Sequence, residues 1–312
     1  MKIIKTILES DIFSSHPPVL FDIGASGEIN QKWKAIGPYS ICVAFDADDR
    51  EFKISEQKGS GFKKLISFNR IVTIDDSGSA PFHLTQSPFC SSLLEPDAGK
   101  LRPWIFNKLF TVERTISLPS ITLKEALNQL QLDYIDWFKS DTQGTDLRLF
   151  RNLNASISDT VLAAEFEPGI IDAYKGEDKL YMLMEEMQSR QFWLCSMEVK
   201  GVQRIRPEYA EKIGNGYTKR IIKKSPGWAE VTYLRETAKN KRQLLLLLVF
   251  AVIQCQYGFA LELADQGIKE YQDKLFEDCW KAVWEKVRSE KPKMPLVILK
   301  RQLNKLFSNI ND

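Results

Sequence analysis

Acidic residues follow three short apolar segments of this sequence, and they are the side chains best placed to do chemistry. Asp22 ends the first segment, Asp141 follows the second, and Glu165 and Glu167 end the third. Short apolar runs bounded by glycine, proline or polar residues are typical of buried strands. Because ligands of open α/β sheets bind outside the carboxyl ends of the strands, the spacing predicts one crevice where these carboxylates converge.

The first segment also leads into a loop that contains two glycines. Gly24 and Gly27 follow the apolar run 19–23, and they permit backbone conformations and a close ligand approach that a Cβ would obstruct. A helix predicted to begin near Glu28 would direct its free backbone amides at this loop. A strand, a glycine loop and a helix in this order indicate a nucleotide-binding unit, and a plain turn is the alternative.

Asp46 extends this unit, because it follows the next predicted strand, 41–45. In doubly wound folds an acidic residue at this position accepts hydrogen bonds from the hydroxyls of a ribose. The alternative is that the neighbouring acids, Asp48 and Asp49, simply cap the following helix. Both interpretations are compatible, and Asp46 is the residue predicted to contact the ribose.

The rest of the chain continues to alternate between strand and helix patterns. Further strands are predicted at 62–68, 70–74, 81–85, 112–118, 192–199 and 228–234, the second and third of them as a hairpin. Helices are predicted at 122–130, 146–153 and 179–191, the first opened by a capping box of Thr122 and Glu125. The sequence therefore predicts an open α/β sheet.

The composition is that of a folded globular protein and excludes several kinds of site. Of the 312 residues, 44% are apolar and 27% are charged, which is ample material for a core. The five cysteines are scattered without a CxxC pair, which excludes the usual zinc ribbons and indicates a reducing, cytoplasmic environment. Two histidines are too few for a multi-histidine metal centre. The net charge of +2 argues neither for nor against a nucleic-acid partner, and none is predicted.

The end of the chain differs in character, so we divide the sequence into a domain of residues 1–237 and a helical C-terminal extension of residues 238–312. The apolar run 244–253 falls short of the roughly 20 residues that span a bilayer, so it predicts a buried helix and no transmembrane segment. The segment 268–287 is amphipathic. We expect the extension to act as a cap or a homodimer contact, and docking to a glycosyltransferase or an anionic membrane surface is the alternative.

Several short motifs recur in the order of a known family. They are Asp22-Ile-Gly-Ala, Asp46, Cys90-Ser-Ser-Leu-Leu, Thr122-Leu-Lys-Glu-Ala-Leu, Ile135-Asp-Trp-Phe-Lys-Ser-Asp-Thr-Gln-Gly and Glu165-Phe-Glu. In this order they resemble the FkbM-type S-adenosylmethionine-dependent methyltransferases. The resemblance covers residues 19–235, and 141–147 is its most specific part. It implies the class I methyltransferase fold, a Rossmann-like, mostly parallel seven-stranded sheet with one antiparallel strand and helices on both faces, here with a C-terminal helical appendage.

The resemblance implies S-adenosylmethionine as the cofactor and S-adenosylhomocysteine as its product. The residues that would hold the methionine end of the cofactor are Asp22, Gly24, Ala25, Ser26 and Gly27. Asp46 and Ala47 are expected at the ribose of the cofactor, and Asp75 or Asp76 near its adenine. Asp141 is also expected to contact the cofactor. The chain departs from the family pattern in two places, since the first loop is one residue shorter and Asp46-Ala47 replaces the usual Glu-Pro.

The resemblance also implies methyl transfer to a hydroxyl of a sugar, a glycan or a natural product. A hydroxyl is a poor nucleophile at neutral pH and needs its proton removed as it attacks. With so few histidines we expect a carboxylate base, Asp141 first and Glu165 second. His83 is third, because a hairpin position need not face the crevice. The carboxylates could instead hold a divalent cation, although nothing in their spacing requires a metal.

Two other functions are compatible with parts of the sequence. A nicotinamide-dependent oxidoreductase would share the first strand, loop and acid, but the chain has no GxGxxG spacing. A non-catalytic scaffold in a glycan-assembly complex would bind S-adenosylmethionine through the same motifs without turnover. The second half of the chain favours the methyltransferase pattern over the oxidoreductase.

Overall fold

The computed structural model describes residues 2–24, 31–46 and 61–290. Over these ranges the chain forms ten β-strands and twelve α-helices. The strands are β1 (Val19–Ile23), β2 (Ile41–Phe45), β3 (Lys64–Phe68), β4 (Ile71–Thr73), β5 (Ser79–Thr85), β6 (Val112–Thr122), β7 (Trp137–Ser140), β8 (Ala163–Phe166), β9 (Phe192–Gln203) and β10 (Lys224–Arg235). The helices are α1 (Lys2–Leu8), α2 (Asp11–Ser15), α3 (Ala98–Leu101), α4 (Leu123–Leu130), α5 (Asp146–Arg151), α6 (Ala155–Ser158), α7 (Leu180–Ser189), α8 (Pro207–Ile213), α9 (Asn215–Ile221), α10 (Lys241–Ile253), α11 (Tyr257–Tyr271) and α12 (Lys274–Ser289). Short 3₁₀ helices cover Gln31–Ala35, Gly37–Tyr39, Pro88–Cys90 and Asn107–Phe110.

Seven strands form the central sheet, in the order β3-β2-β1-β7-β8-β10-β9. Neighbouring strands from β3 to β8 run parallel, whereas β10 runs antiparallel to both β8 and β9. The fold is therefore α/β with a mostly parallel seven-stranded sheet, which confirms the predicted open α/β sheet and has the strand number that the resemblance implied. Because β1 lies between β2 and β7, the direction of strand succession reverses there, and such switch points are where open α/β sheets bind ligands.

Alternate side chains of these strands enter two separate cores. Phe21, Val43 and Phe138 point to a core that also contains residues of α4, α5 and α7. Leu20 and Trp137 point to the opposite face, whose core contains residues of α1, α10, α11 and α12. The sheet is thus covered on both faces, which explains why its strands are nearly continuous apolar runs.

α10 is buried on every side. All of its residues from Gln243 to Val252 are buried, and the rings of Phe250 and Trp137 meet edge to face with centroids 4.6 Å apart. A helix that is apolar all round is expected to lie in a core, and the predicted buried helix at 244–253 is confirmed. The helices α10, α11 and α12 of the extension therefore cover one face of the sheet, while the predicted division at residue 237 stays a prediction. Within the described ranges, no helix combines the length and apolar character needed to cross a bilayer.

A two-pronged ion pair joins α10 to the start of β7. Both terminal nitrogens of Arg242 donate to the Asp136 carboxylate at 2.8 Å, and Asp136 Oδ2 also accepts from Val19 N at 2.9 Å. The Asp136 side chain is 1% exposed, so its buried carboxylate would destabilise the fold without these partners. The helix and the two central strands are thereby held at a fixed distance.

Three further strands form a smaller sheet with the order β4-β6-β5. β6 pairs parallel with β4 and antiparallel with β5. The predicted hairpin between 70–74 and 81–85 is therefore wrong in its pairing, although both strands form. β5 pairs with residues 112–119 of the eleven-residue β6, and β4 pairs with its last three residues, 120–122. The capping box of Thr122 and Glu125 at the start of α4 is confirmed.

Candidate functional site

A cavity of about 480 Å³ opens at the carboxyl ends of the central strands. Its wall combines the ends of β1, β2 and β7 with residues of the smaller sheet and of the loops that follow it. The acidic residues in the wall are Asp46, Asp141, Glu167 and Glu177, and Arg70 is the only basic one among the described residues. This volume lies in the range of pockets that hold small organic ligands.

Asp141 follows β7 directly and lies in the cavity wall. Its Oδ1 accepts a hydrogen bond from Gln143 Nε2 at 2.7 Å, and the other end of that amide lies 3.2 Å from the Tyr174 hydroxyl. Burial raises the pKa of Asp141 to about 6, while the nearby Lys139 ammonium limits the rise. Asp141 is therefore a mostly ionised carboxylate at neutral pH whose proton affinity is close to that pH.

Asp146 shapes the loop that carries Asp141. Its Oδ1 accepts hydrogen bonds from Ser140 Oγ at 2.6 Å, from Thr142 N at 2.9 Å and from Thr142 Oγ1 at 2.7 Å. Gln143 has a φ of 57°, a conformation that non-glycine residues seldom adopt. The hydroxyls of Ser140 and Thr142 and the carboxylate of Asp146 thus hold the loop in which Gln143 adopts this left-handed conformation.

Gly24 packs tightly against the same loop. Its φ is +79°, and a Cβ at this position would overlap the carbonyl oxygen of Asp141. The glycine is therefore required where the ends of β1 and β7 meet, and it also lines the cavity. The neighbouring predicted cofactor residues Ala25, Ser26 and Gly27 lie outside the described residues, as does Ala47.

Asp46 lies where the sequence predicted an acid at the end of β2. It lines the cavity, and its backbone N–H donates to Phe68 O at 3.2 Å. The side chain is partly buried, and Asp46 lies in the wall next to the ends of β1 and β2.

Glu167 also lines the cavity, whereas its neighbour Glu165, the second choice of base after Asp141, does not. Burial first, and the nearby Asp141 second, raise the pKa of Glu167 to about 9, so this side chain is protonated at neutral pH. β8 ends at Phe166, so strand alternation no longer decides where Glu167 points. The pair of acids was visible in the sequence, but their different orientations were not.

Asp22 and Glu165 are brought together with Lys139, but outside the cavity wall. The three residues are directly in register across β1, β7 and β8, which places them on one face of the sheet. Lys139 Nζ lies 2.6 Å from Asp22 Oδ1, and Lys32 Nζ lies 3.1 Å from Glu165 Oε2. Burial by itself lowers the pKa of Lys139, but the surrounding carboxylates outweigh it and hold that pKa above its usual value.

Asp22 and Glu165 thus each have a lysine partner on this face of the sheet. Asp22 is fully buried, and its Oδ2 receives no hydrogen bond from any described residue. Its predicted contact with the methionine end of a cofactor stays a prediction, since the adjoining loop is not described. The strand-terminal acids thus converge only in part, with Asp46, Asp141 and Glu167 in the cavity and the other two beside Lys139.

The remaining predicted site residues do not line the cavity. His83 is in β5, and its Nδ1 lies 3.0 Å from Thr115 Oγ1, while the preceding Phe82 lines the cavity instead. Asp75 and Asp76 are exposed in the turn before β5 and do not line the wall. Alternation along the strand explains why His83 and Phe82 face opposite ways.

Aromatic side chains form part of the cavity wall, and none of them was predicted from the sequence as a site residue. Phe106 stacks on Trp228 with ring centroids 6.3 Å apart, and Phe110 meets Tyr174 edge to face at 5.6 Å. Phe89 also lines the cavity and is 61% exposed. These residues come from segments far apart in the chain, so no local pattern indicated that they meet.

No protein-family model matches this chain, and no curated protein matches it. Among the described residues, no cluster of three or more histidine, cysteine or acidic side chains is arranged to hold a metal ion.

Proposed function

We propose that this protein is an S-adenosylmethionine-dependent O-methyltransferase that methylates a hydroxyl of a sugar, a glycan or a natural product. The observation that carries the proposal is the acidic cavity at the switch point of the sheet, with Asp46 after β2 and Asp141 after β7. The seven-stranded sheet with one antiparallel strand agrees with the fold that the resemblance implies.

The residues present fit this cofactor in their chemistry. When bound, S-adenosylmethionine supplies an electrophilic methyl group on a positively charged sulfonium. Among the described residues, the wall has four carboxyl groups, of which Glu167 is neutral, and a single arginine, and this balance favours a cation over an anion. Asp46 would accept hydrogen bonds from the ribose hydroxyls, and Gly24 keeps the backbone beside the ligand free of a side chain.

Asp141 is the best-placed base of the three candidates. It lies in the cavity, and a pKa of about 6 leaves it ionised at neutral pH with useful affinity for a proton. Gln143 holds the carboxylate through its amide nitrogen at 2.7 Å. Glu165 and His83 lie outside the cavity wall, which disfavours both as groups that touch an acceptor.

The surrounding groups would align the acceptor and exclude water, the two main requirements of an in-line displacement. Protonated Glu167 can donate a hydrogen bond to an acceptor oxygen without adding a second negative charge. The aromatic wall of Phe106 and Trp228 offers a flat apolar surface to a ring.

The pyrophosphate of NAD carries two negative charges, and among the described residues of the wall the acids outnumber the single arginine, which disfavours the nicotinamide alternative. A non-catalytic scaffold that binds S-adenosylmethionine would use the same residues. Turnover distinguishes it from the enzyme.

The first experiment is calorimetric titration of the purified full chain with S-adenosylmethionine, S-adenosylhomocysteine and NAD(H). We expect binding of the sulfonium and its product and no binding of NAD(H). Binding of NAD(H) alone would overturn the proposal. A second assay follows methyl transfer from labelled S-adenosylmethionine to sugars, glycans and small hydroxylated compounds, and binding without turnover on any of them would favour the scaffold.

A further inference from the structure

Two short helices between β9 and β10 expose a concentration of apolar side chains. α8 exposes Tyr209 (53%) and Ile213 (49%), and α9 exposes Tyr217 (64%) and Ile221 (64%). In each helix the tyrosine and the isoleucine are four residues apart, so they lie on one side of it. Large apolar side chains that are exposed together, on two helices that pack against each other, are typical of a surface that contacts a partner.

The two helices pack against each other through their small side chains. Ala210 and Thr218 are buried, and Thr218 Oγ1 donates to Ala210 O at 3.3 Å. The exposed tyrosines and isoleucines are therefore left over after the internal packing of this unit is complete.

The same segment is strongly basic. Residues 204–224, which we call the α8–α9 surface, contain two acidic residues, Glu208 and Glu211. Its basic residues are Arg204, Arg206, Lys212, Lys219, Arg220, Lys223 and Lys224, and all seven are exposed. The segment thus has a surplus of five positive charges in a chain whose total charge is +2. Within the described ranges none of these seven side chains forms an ion pair.

We propose that the α8–α9 surface binds an anionic lipid membrane. Exposed basic side chains are attracted to the negative surface potential of anionic lipids. Tyrosine places an apolar ring and a polar hydroxyl at the boundary between water and acyl chains, and isoleucine gains by leaving water altogether. The tyrosines and basic residues alone would also suit a single-stranded nucleic acid, but Ile213 and Ile221 offer nothing to phosphates or bases.

The α8–α9 surface adjoins the cavity. Lys108 Nζ lies 3.6 Å from Glu211 Oε1, and Ile105 N donates to Gln203 O at 3.2 Å. Leu109, which follows Lys108 in the chain, lines the cavity and is 43% exposed. A protein bound to a membrane through this surface would therefore hold that side of the cavity near the lipid.

The test is co-sedimentation of the full chain with extruded vesicles, and it needs neither cofactor nor acceptor. One set of vesicles contains phosphatidylcholine and phosphatidylglycerol, and the other contains phosphatidylcholine alone. We expect binding to the anionic vesicles, weaker binding as salt is raised, and little binding to the neutral ones. No binding to the anionic vesicles at low salt would overturn the proposal.

Two pairs of variants locate the binding surface. Tyr217→Ser/Ile221→Ser and Lys219→Glu/Arg220→Glu should each weaken binding by about tenfold or more. Their controls make matched changes at exposed positions elsewhere, Tyr181→Ser/Met184→Ser on α7 and Arg114→Glu/Lys124→Glu on β6 and α4. The controls should bind as the wild type does.

The remaining outcomes separate the membrane from other anionic partners. Binding that survives in both surface variants would overturn the proposal and point to another basic part of the chain, such as 291–312. Binding to soluble dextran sulfate or polyuridylate that equals vesicle binding, and is unaffected by Tyr217→Ser/Ile221→Ser, would also overturn it. An acidic macromolecule would then be the partner.

Discussion

Asp141 and Glu167 line the same cavity, yet burial leaves them in different protonation states at neutral pH. The pKa of Asp141 is raised to about 6 and that of Glu167 to about 9. Each charge makes ionisation of the other harder, so the two groups lose their protons one after the other. Pairs of carboxyl groups whose pKa values are pushed apart in this way are typical of sites that need both an acceptor and a donor of protons.

Asp141→Asn tests the base. The amide cannot take a proton, so we expect turnover to fall by about 100-fold or more, while the affinity for S-adenosylhomocysteine changes little. In the wild type, activity should rise with pH through about 6, as Asp141 loses its proton. His83→Gln, outside the cavity wall, is the control and should retain activity. Unchanged turnover in Asp141→Asn would remove this residue from the mechanism.

Glu167→Gln tests the protonated acid through stability. The folded chain keeps the Glu167 proton up to about pH 9, whereas the unfolded chain loses it near the ordinary value of 4.5. Between these values the folded state binds more protons, so rising pH lowers the free energy of unfolding of the wild type. Glutamine mimics the protonated acid and removes this dependence.

The measurement is urea unfolding at pH 5.5 and pH 8.5. Relative to Glu167→Gln, the wild type should lose more than about 1 kcal/mol between the two pH values. Glu185→Gln, at an exposed position on α7, should follow the wild type. An equal pH dependence in Glu167→Gln and the wild type would show that Glu167 is ionised in the folded protein.

At the scale of elements, the site depends on how closely the ends of β1 and β7 approach. Gly24 meets the backbone of Asp141 directly, so the first strand helps to position the candidate base. Asp146, at the start of α5, fixes the other side of the same loop through three hydrogen bonds. The cavity wall is thus set by backbone contacts between elements before any ligand binds.

Gly24→Ala tests this contact, with Gly78→Ala as its control. Both glycines have positive φ values, +79° and +70°, so both alanines are strained. Only at Gly24 would the added Cβ overlap another part of the chain, since nothing lies within 4 Å of it at Gly78. We expect Gly78→Ala to lower the free energy of unfolding by about 1 kcal/mol, and Gly24→Ala to lower it by at least about 2 kcal/mol more. Equal losses in chemical denaturation would mean that the β1–β7 contact relaxes without cost.

At the scale of the whole molecule, the helical extension and the sheet share one core. α10 occupies the face of the sheet that also contains Leu20 and Trp137, and Arg242 fixes it to Asp136. The extension is therefore expected to unfold together with the sheet. It is not expected to separate from it first.

Arg242→Ala tests this coupling. Removing the arginine leaves the Asp136 carboxylate buried without its partner, so we expect a loss of about 3 kcal/mol in a single unfolding transition. Lys241→Ala is the matched control, because Lys241 pairs with Asp273 at 2.6 Å where both side chains are about one-third exposed. We expect Lys241→Ala to lower the free energy of unfolding by less than about 1 kcal/mol. Two separate transitions in Arg242→Ala, or a loss equal to that of Lys241→Ala, would contradict the shared core.

Much of the fold was predictable because local patterns report burial. The apolar runs at β1, β2 and β8 indicated strands of a covered sheet, and the run at 244–253 indicated a buried helix. The partners of strands were harder to predict, since pairing depends on distant segments. The hairpin expected between β4 and β5 fails for this reason, because β6 takes the place between them.

The α/β class, the positions of the strand-terminal acids and the glycine at the end of β1 can be read from the amino-acid sequence, because periodicity and backbone conformation are local properties. Where each acid lies in the folded protein depends on contacts between distant parts of the chain. Strand register set Asp22 and Glu165 beside Lys139, whereas Asp141 and Glu167 entered the cavity. Tertiary folding also built the aromatic wall, since its residues are far apart in the chain and meet only when the sheet is complete.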